Sequence, residues 1–373
     1  MNAQTGAIVN LLEKFSISAW ILDEGKTIVY MNRLMQDLFG DLTGNKSSII
    51  YGGENGGENS ENGETGETGW QRGMEPGAPE EVVIADVPFR RTGSAVDFGD
   101  AGRYEVEFFE DISEQKLIYN NMAQALVRIN AETRMAKTIQ NSILPVDGTY
   151  WGTIAYNSLY MPAGDLSGDF YDLVKLSDDE YLMYIADVSG HGIQASLLTI
   201  FMRERVRTNR EAAFSGAGAL VSKLVRDFIT LDIDSSLYVT MAVCKYSKAR
   251  RELSISNAGH NCSPLIIRDN GRSETIPIRG MPVCAIADGL EYEEEVVSMN
   301  PGDRLVLFTD GIVEEVDSTK GHAFGPEGVR ALAEKYHEYS GDYLARAIID
   351  ESARYSLISA KDDRSIVVAD ILA

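Results

Sequence analysis

The chain has 373 residues, 44% of them hydrophobic, which is room for two domains with cores of their own. A formal charge of -23 excludes a general nucleic-acid surface, which needs clustered Lys and Arg, and argues equally against contact with an anionic membrane face. No run of about 18 apolar residues occurs and no basic-then-apolar segment follows Met1, so neither a membrane span nor an export signal is expected and the chain reads as cytoplasmic.

In chain order, Ser18–Leu22 reads as a strand, Asp23–Lys26 as a turn, Thr27–Met31 as a second strand, and an amphipathic segment follows that ends at Phe39–Gly40. Residues 52–79 are a Gly, Glu and Asn tract with almost no aliphatic side chain, expected to form a disordered insert because it cannot bury enough apolar surface to offset its chain entropy. Its acids, Glu54, Glu58, Glu61, Glu64 and Glu67, lack the spacing of an EF-hand calcium loop. Tyr104–Glu114 then reads as a strand running into a helix. The opening segments and this last strand together resemble a PAS sensor domain, over about residues 10–115, and the resemblance implies a PAS-like α/β domain at 1–115. All four histidines lie at or beyond His191 and the cysteines beyond that, so this domain offers no histidine to haem and no thiol to a flavin.

A helical pattern without Gly or Pro runs from Ile112 to Leu144 and is closed by Pro145. Ile118, Met122, Ala125, Ile129, Ala136, Ile139 and Ile143 alternate spacings of four and three, with Glu132 interrupting, so residues 116–147 are expected to be a helical linker able to pair two chains as a coiled coil. The alternative is a helix packed on its own domain. Beyond residue 150, strands are predicted near 181–187, 237–246, 251–257, 263–268, 274–278, 303–309 and 364–371. Helices are predicted near 192–209, 213–230, 327–338 and 341–355. Short turns such as Asp269-Asn-Gly271 join consecutive strands and imply antiparallel sheets covered by helices, an α/β sandwich. Cys244, Cys262 and Cys284 are odd in number, far apart and outside any CxxC pair, which favours buried free thiols over a thiolate nucleophile.

Four acidic segments punctuate this region: Gly168-Asp169, Asp187-Val-Ser-Gly-His-Gly192, Thr309-Asp310-Gly311 and Lys361-Asp362-Asp363-Arg364. Each sets a carboxylate beside an apolar run, where a strand can deliver it to one rim of a sheet. Carboxylates converging from distant strands repel one another unless a cation lies between them, and hard divalent cations prefer oxygen ligands. As isolated residues these Asp would be turn formers or helix caps; together they point to a metal site.

Pro162–Asp172, Ile185–Gly192, Ser256–Asn261, Phe308–Gly311 and Lys361–Ser365 resemble, in order and spacing, the motifs of the PPM metal-dependent serine/threonine phosphatases, in particular the bacterial SpoIIE/RsbU-like branch. The resemblance covers about residues 145–373. It implies an α+β phosphatase domain at 148–373, built as a four-layer α-β-β-α sandwich of two antiparallel sheets, with two divalent cations, Mn²⁺ or Mg²⁺, between them. Carried over by motif, Asp187 bridges the ions and the Val188 backbone carbonyl is a further ligand. Asp169 resembles a ligand or outer acceptor for the second ion, and Asp310 and Asp362 resemble ligands to the first. Asp363, where the wider family often has Asn, ranks below them. The implied chemistry is attack of a metal-bound hydroxide on phosphorus, with no protein nucleophile.

Two departures limit the transfer. Where eukaryotic members have a histidine two residues after the bridging Asp, this chain has Ser189, and His191 is expected to shape the loop or the helix entry, leaving the leaving-group acid unassigned. Where the bacterial branch commonly has Pro-Ala-Arg-Glu, this chain has Pro162-Ala-Gly-Asp165, without the arginine. His260, in Asn257-Ala-Gly-His-Asn261, is expected to be a hydrogen-bonded structural residue, and Gly280-Met-Pro-Val283 to shape the fold. Arg203 and Arg364 are cations that nothing in the sequence ties to substrate. The resemblance further implies a phosphorylated STAS-domain anti-sigma-factor antagonist as substrate, a homodimer through the linker and the PAS-like domain, and neither nucleic acid nor membrane as partner. The rival reading is a catalytically silent binding module that keeps the phosphatase fold.

Overall fold

The computed structural model describes residues 3–48, 79–84, 86–97, 102–190, 192–234, 236–314, 323–355 and 362–372. The chain divides into two compact units, Met1–Arg128 and Ile129–Ala373. The division falls inside one helix, Ser113–Ile143, which stops just short of Pro145, whose ring disfavours helical backbone in the residue before it.

The first unit holds an antiparallel sheet in the order β2-β1-β5-β4-β3, made of β1 (Ser18–Leu22), β2 (Ile28–Met31), β3 (Glu80–Ile84), β4 (Val87–Asp97) and β5 (Arg103–Asp111). Strand alternation sends Trp20, Leu22, Phe89 and Phe109 to one face, where Met35 of the helix Arg33–Phe39 joins them. Ala19, Ile21 and Val106 go to the other face, against Leu12 of the helix Ala3–Leu12. Asn32 caps the helix Arg33–Phe39 and ties it to β1, since its Oδ1 accepts the N–H of Met35 at 3.1 Å and of Ala19 at 2.9 Å. The tract expected to be a disordered insert, with the glutamates named above, lies outside the described residues apart from Pro79.

The second unit contains two antiparallel sheets. One runs β14-β11-β10-β9-β8, with β8 (Asp169–Lys175), β9 (Glu180–Val188), β10 (Val239–Ser247), β11 (Glu252–Ala258) and β14 (Glu295–Ser298). The other runs β13-β12-β15-β16-β7-β6, with β6 (Gly148–Tyr150), β7 (Ile154–Met161), β12 (Leu265–Ile267), β13 (Ser273–Thr275), β15 (Arg304–Phe308) and β16 (Arg364–Ile371). Tyr171, Met183, Ile185, Cys244, Leu307 and Val367 are among the side chains packed between the sheets. The outer face of the first sheet is covered by the helices Ile193–Thr208 and Ala217–Ile229, and that of the second by Gly325–Lys335 and Gly341–Ala353. The result is four layers, α-β-β-α. All three cysteines are buried and unpaired.

Several strands differ from the sequence expectation. β6, β7, β8 and β14 were not predicted; in β8 the apolar run is short and broken by Asp172. The helix expected over 213–230 is two, Arg210–Ser215 and Ala217–Ile229, parted at Gly216. The second of these is held at its start by Glu294, whose Oε1 accepts the Gly218 N–H at 2.9 Å.

Candidate functional site

The period of two that fills the space between the sheets continues past the strand ends, and there it turns polar. Along β8 and β9, Leu173, Tyr171, Met183 and Ile185 face inward, so Asp169 and Asp187 do as well, and they stand opposite each other in the β8–β9 register. On β10 the inward series Cys244, Ala242 ends in Thr240, opposite Asp187. On the second sheet Leu305 and Leu307 are followed by Thr309, and Val367 is preceded by Ser365. One rim of the sandwich thus collects two facing carboxylates and three hydroxyls.

Asp169 is 2% exposed, and its Oδ2 accepts hydrogen bonds from Ser365 Oγ at 2.6 Å and Thr309 Oγ1 at 2.9 Å, both from the opposite sheet. Burial, then the charge of Asp187, pushes its carboxyl well above the usual range, against the pull of those hydroxyls. Asp187 is pushed up to about 7 by burial and by the charges of Asp310, Asp362 and Asp363. Like charges directly opposite across a ladder destabilise it, so the arrangement calls for a positive partner. Asp310 opens the short helix Asp310–Val313, and a Cβ on Gly311 would lie 2.1 Å from the Asp363 carbonyl oxygen, so glycine lets this turn rest directly on the 362–363 backbone. Gly168 plays the same part on the other side. A Cβ there would lie 2.6 Å from the Val188 carbonyl oxygen and 3.1 Å from Asp187 Oδ1.

Asp363 holds the loop that leads into β8. Its Oδ1 accepts the Ala163 N–H at 2.7 Å and its Oδ2 the Gly168 N–H at 2.9 Å, clamping the 163–168 loop over the rim. Asp362, which is exposed, accepts the Asp363 N–H at 2.8 Å through Oδ1. The same loop is held from the linker helix by Gln140, 2% exposed, whose Nε2 donates to the Ser167 carbonyl at 2.7 Å and whose Oε1 accepts the Ser167 N–H at 3.2 Å. Ser167 Oγ in turn accepts the Asp169 N–H at 3.0 Å.

His260 is a buried, doubly bonded ring, as expected. Nε2 lies 3.0 Å from the Phe308 carbonyl and Nδ1 3.2 Å from Thr240 Oγ1, and burial lowers its pKa. Asn257 brackets its backbone, accepting the His260 N–H at 2.7 Å and donating to its carbonyl at 2.9 Å. The loop after it packs tightly, since a Cβ on Gly280 would sit 1.8 Å from the Asn257 carbonyl oxygen. Ser189 is a structural residue here: its Oγ accepts the Tyr238 N–H at 2.8 Å. His191 and Lys361 lie outside the described residues. Arg203 is committed to buried Asp172 at 3.1 Å, together with Arg207, which binds the same carboxylate at 2.6 and 3.0 Å and so fixes the helix Ile193–Thr208 to β8. Arg364 is buried within β16.

Sequence reasoning assigned no role to Thr309, Ser365, Thr240 or the Asp172–Arg203–Arg207 group. For Thr309 and Ser365 a signal existed, because both lie inside quoted motifs two residues from inward-facing strand positions. The segment from Gln140 to Pro145 reads in the sequence as the junction through which helix pairing acts on Asp169 and the 192–209 helix; the particular bonds of Gln140 to Ser167 had no sequence signal.

Residues 177–372, more than half of the chain, match the family model described as stage II sporulation protein E (SpoIIE). Phosphoserine phosphatase RsbU of Bacillus subtilis (strain 168) is 24% identical over 241 residues, covering 64% of this chain and 70% of that protein. Phosphoserine phosphatase RsbP of the same organism is 24% identical over 189 residues, 50% of this chain and 46% of that protein, so the chain spans under half of that relative. Among solved structures, the SiaA PP2C domain of Pseudomonas aeruginosa superposes with a TM-score of 0.57 at 22% identity, over 66% of this chain and 99% of that domain. The chain belongs to the SpoIIE family, and its second unit has the fold of a PP2C-type phosphatase domain.

Proposed function

We propose that the rim holds two divalent cations, Mn²⁺ or Mg²⁺, and hydrolyses phosphoserine or phosphothreonine on a regulatory protein. The observation that carries this reading is the facing pair Asp169 and Asp187, buried and raised in pKa with Asp310, Asp362 and Asp363 acting on it. The donor set is oxygen alone, which suits hard cations. Among the described residues no three His, Cys, Asp or Glu side chains gather closely enough to enclose an ion by themselves. Backbone carbonyl and water would complete the shells, as these ions tolerate.

Asp187, the Val188 carbonyl, Asp310 and Asp362 would hold the cations together with Asp169, which would contribute Oδ1 because its Oδ2 is held by Thr309 and Ser365. Asp363, ranked lowest as a ligand, acts mainly as the clamp of the 163–168 loop. The cations would neutralise the phosphate dianion and lower the pKa of water. The chain's part is to fix the carboxylates so that little reorganisation is needed when substrate arrives.

The substrate we infer is a phosphorylated STAS-domain antagonist of an anti-sigma factor, a reading supported by the 24% identity to a relative named phosphoserine phosphatase RsbU. A cytoplasmic setting follows from that substrate. The first unit is read as a PAS-like sensor, supported by its antiparallel sheet and flanking helices. Its signal would pass along the helix Ser113–Ile143 to Gln140, which grips the loop leading into Asp169. Leu117, Ile118, Met122, Leu126, Ile129, Met135 and Ile139 are each more than 45% exposed on that helix, which favours pairing with a second copy.

The deciding assay uses the full chain with a phosphoserine STAS-domain protein, with Mn²⁺, with Mg²⁺ and with chelator, beside Asp187→Ala. Hydrolysis is expected only with metal and only in the unsubstituted chain; activity surviving both chelator and substitution refutes the reading.

A further inference from the structure

His260 is a rim residue whose ring bonds reach both sheets without carrying charge. The Phe308 carbonyl can only accept, so Nε2 bears the ring proton and donates to it at 3.0 Å. Nδ1 of the neutral ring is then an acceptor, and the Thr240 hydroxyl donates to it across 3.2 Å. Thr240 stands opposite Asp187 in the ladder, and Phe308 lies two residues before Asp310. The backbone end of this strut is rigid, because both polar atoms of the Asn257 side chain are spent on the His260 N–H and C=O. With both ring nitrogens committed, His260 is not available to move a proton for the reaction.

We propose that His260 is a positioning residue: it braces the Asn257–His260 turn of the first sheet against the Phe308 carbonyl of the second, and thereby sets the separation of Asp187 and Asp310 and the affinity of the cation they share. The proposal rests on the two-cation reading above. Asp187 lies on β9 of the first sheet, whereas Asp310 opens the short helix that follows β15 of the second, and β9 and β15 share no ladder. Their spacing therefore depends on bonds that cross between sheets, and partners that orient metal ligands govern affinity strongly.

The test is calorimetric titration of Mn²⁺ into the metal-free full chain, with folding checked by circular dichroism and melting in chelator. In His260→Gln the terminal amide nitrogen reaches the place of Nε2 and keeps the donor to Phe308. In His260→Asn the amide ends near Nδ1, and the link to Phe308 is lost. His260→Asn is expected to weaken Mn²⁺ binding about 10- to 100-fold, while His260→Gln retains most of the parent affinity. His260→Phe, which fills the ring's volume without a donor, should behave as His260→Asn and serves if that variant does not fold. Parent-like affinity in the Asn or Phe variant overturns the proposal. So does an equal loss in the Gln variant, which would reduce the ring to packing. Failure of the unsubstituted chain to bind Mn²⁺ is a separate result: it overturns the two-cation reading, and this proposal with it.

Discussion

At the scale of single residues, the rim is an electrostatic liability that the fold tolerates for the sake of chemistry. Asp187 is shifted from 3.8 to about 7 by burial and by its acidic neighbours. Its folded pKa lies above the unfolded one, so its charged form costs stability: the cost is absent below 3.8, grows with rising pH and is complete above about 7. The metal-free chain is therefore expected to melt at lower temperature at pH 8 than at pH 5.5. Asp187→Asn should make that dependence shallower and abolish Mn²⁺-dependent hydrolysis, as thermal melts in chelator and a phosphatase assay would show. Gly168→Ala makes the complementary prediction. Its Cβ would meet the Val188 carbonyl at 2.6 Å, so the carbonyl must move, and Mn²⁺ affinity measured by calorimetry should fall by about tenfold.

At the scale of elements, the 163–168 loop is where several influences meet. Asp363 holds it from β16's entry, Gln140 from the linker helix, and Asp169 continues it into β8. Gln140→Ala leaves the buried Ser167 N–H and C=O unpaired, a loss of about 1–3 kcal/mol for each buried group. Urea denaturation should register that loss, and phosphatase activity should become less sensitive to changes in the first unit. On the same helix, replacing exposed apolar residues tests pairing. Met122→Lys with Ile129→Lys should shift the sedimentation coefficient toward a monomer without lowering helix content; an unchanged dimer, or a monomeric parent, would remove the coiled-coil reading. The Asp172–Arg203–Arg207 group shows how an element is placed by charge: the helix Ile193–Thr208 is pinned to β8 by a buried carboxylate shared between two guanidiniums.

At the scale of the whole molecule, the two units have different sequence logic. The first is a small sheet with apolar residues on both faces, and the second is two sheets whose shared interior is apolar along the strands and acidic at one end. The acidic motifs were legible because four of them recur, each beside an apolar run, in the order and spacing of one family's motifs. Strands such as β9, with its unbroken apolar run, and the uninterrupted helix up to Pro145 were legible because their signal is local. β8 was not, because Asp172 breaks its short apolar run. What the linear chain determined by itself, then, was the chemistry of the rim and most of the elements: which carboxylates, in which order, beside which strands. Only the tertiary structure decided how they are held. The hydroxyls of Thr309 and Ser365 on Asp169, the grip of Gln140 on Ser167 and the reach of His260 to Phe308 each join residues distant in sequence, brought within hydrogen-bonding distance only once the two sheets have stacked.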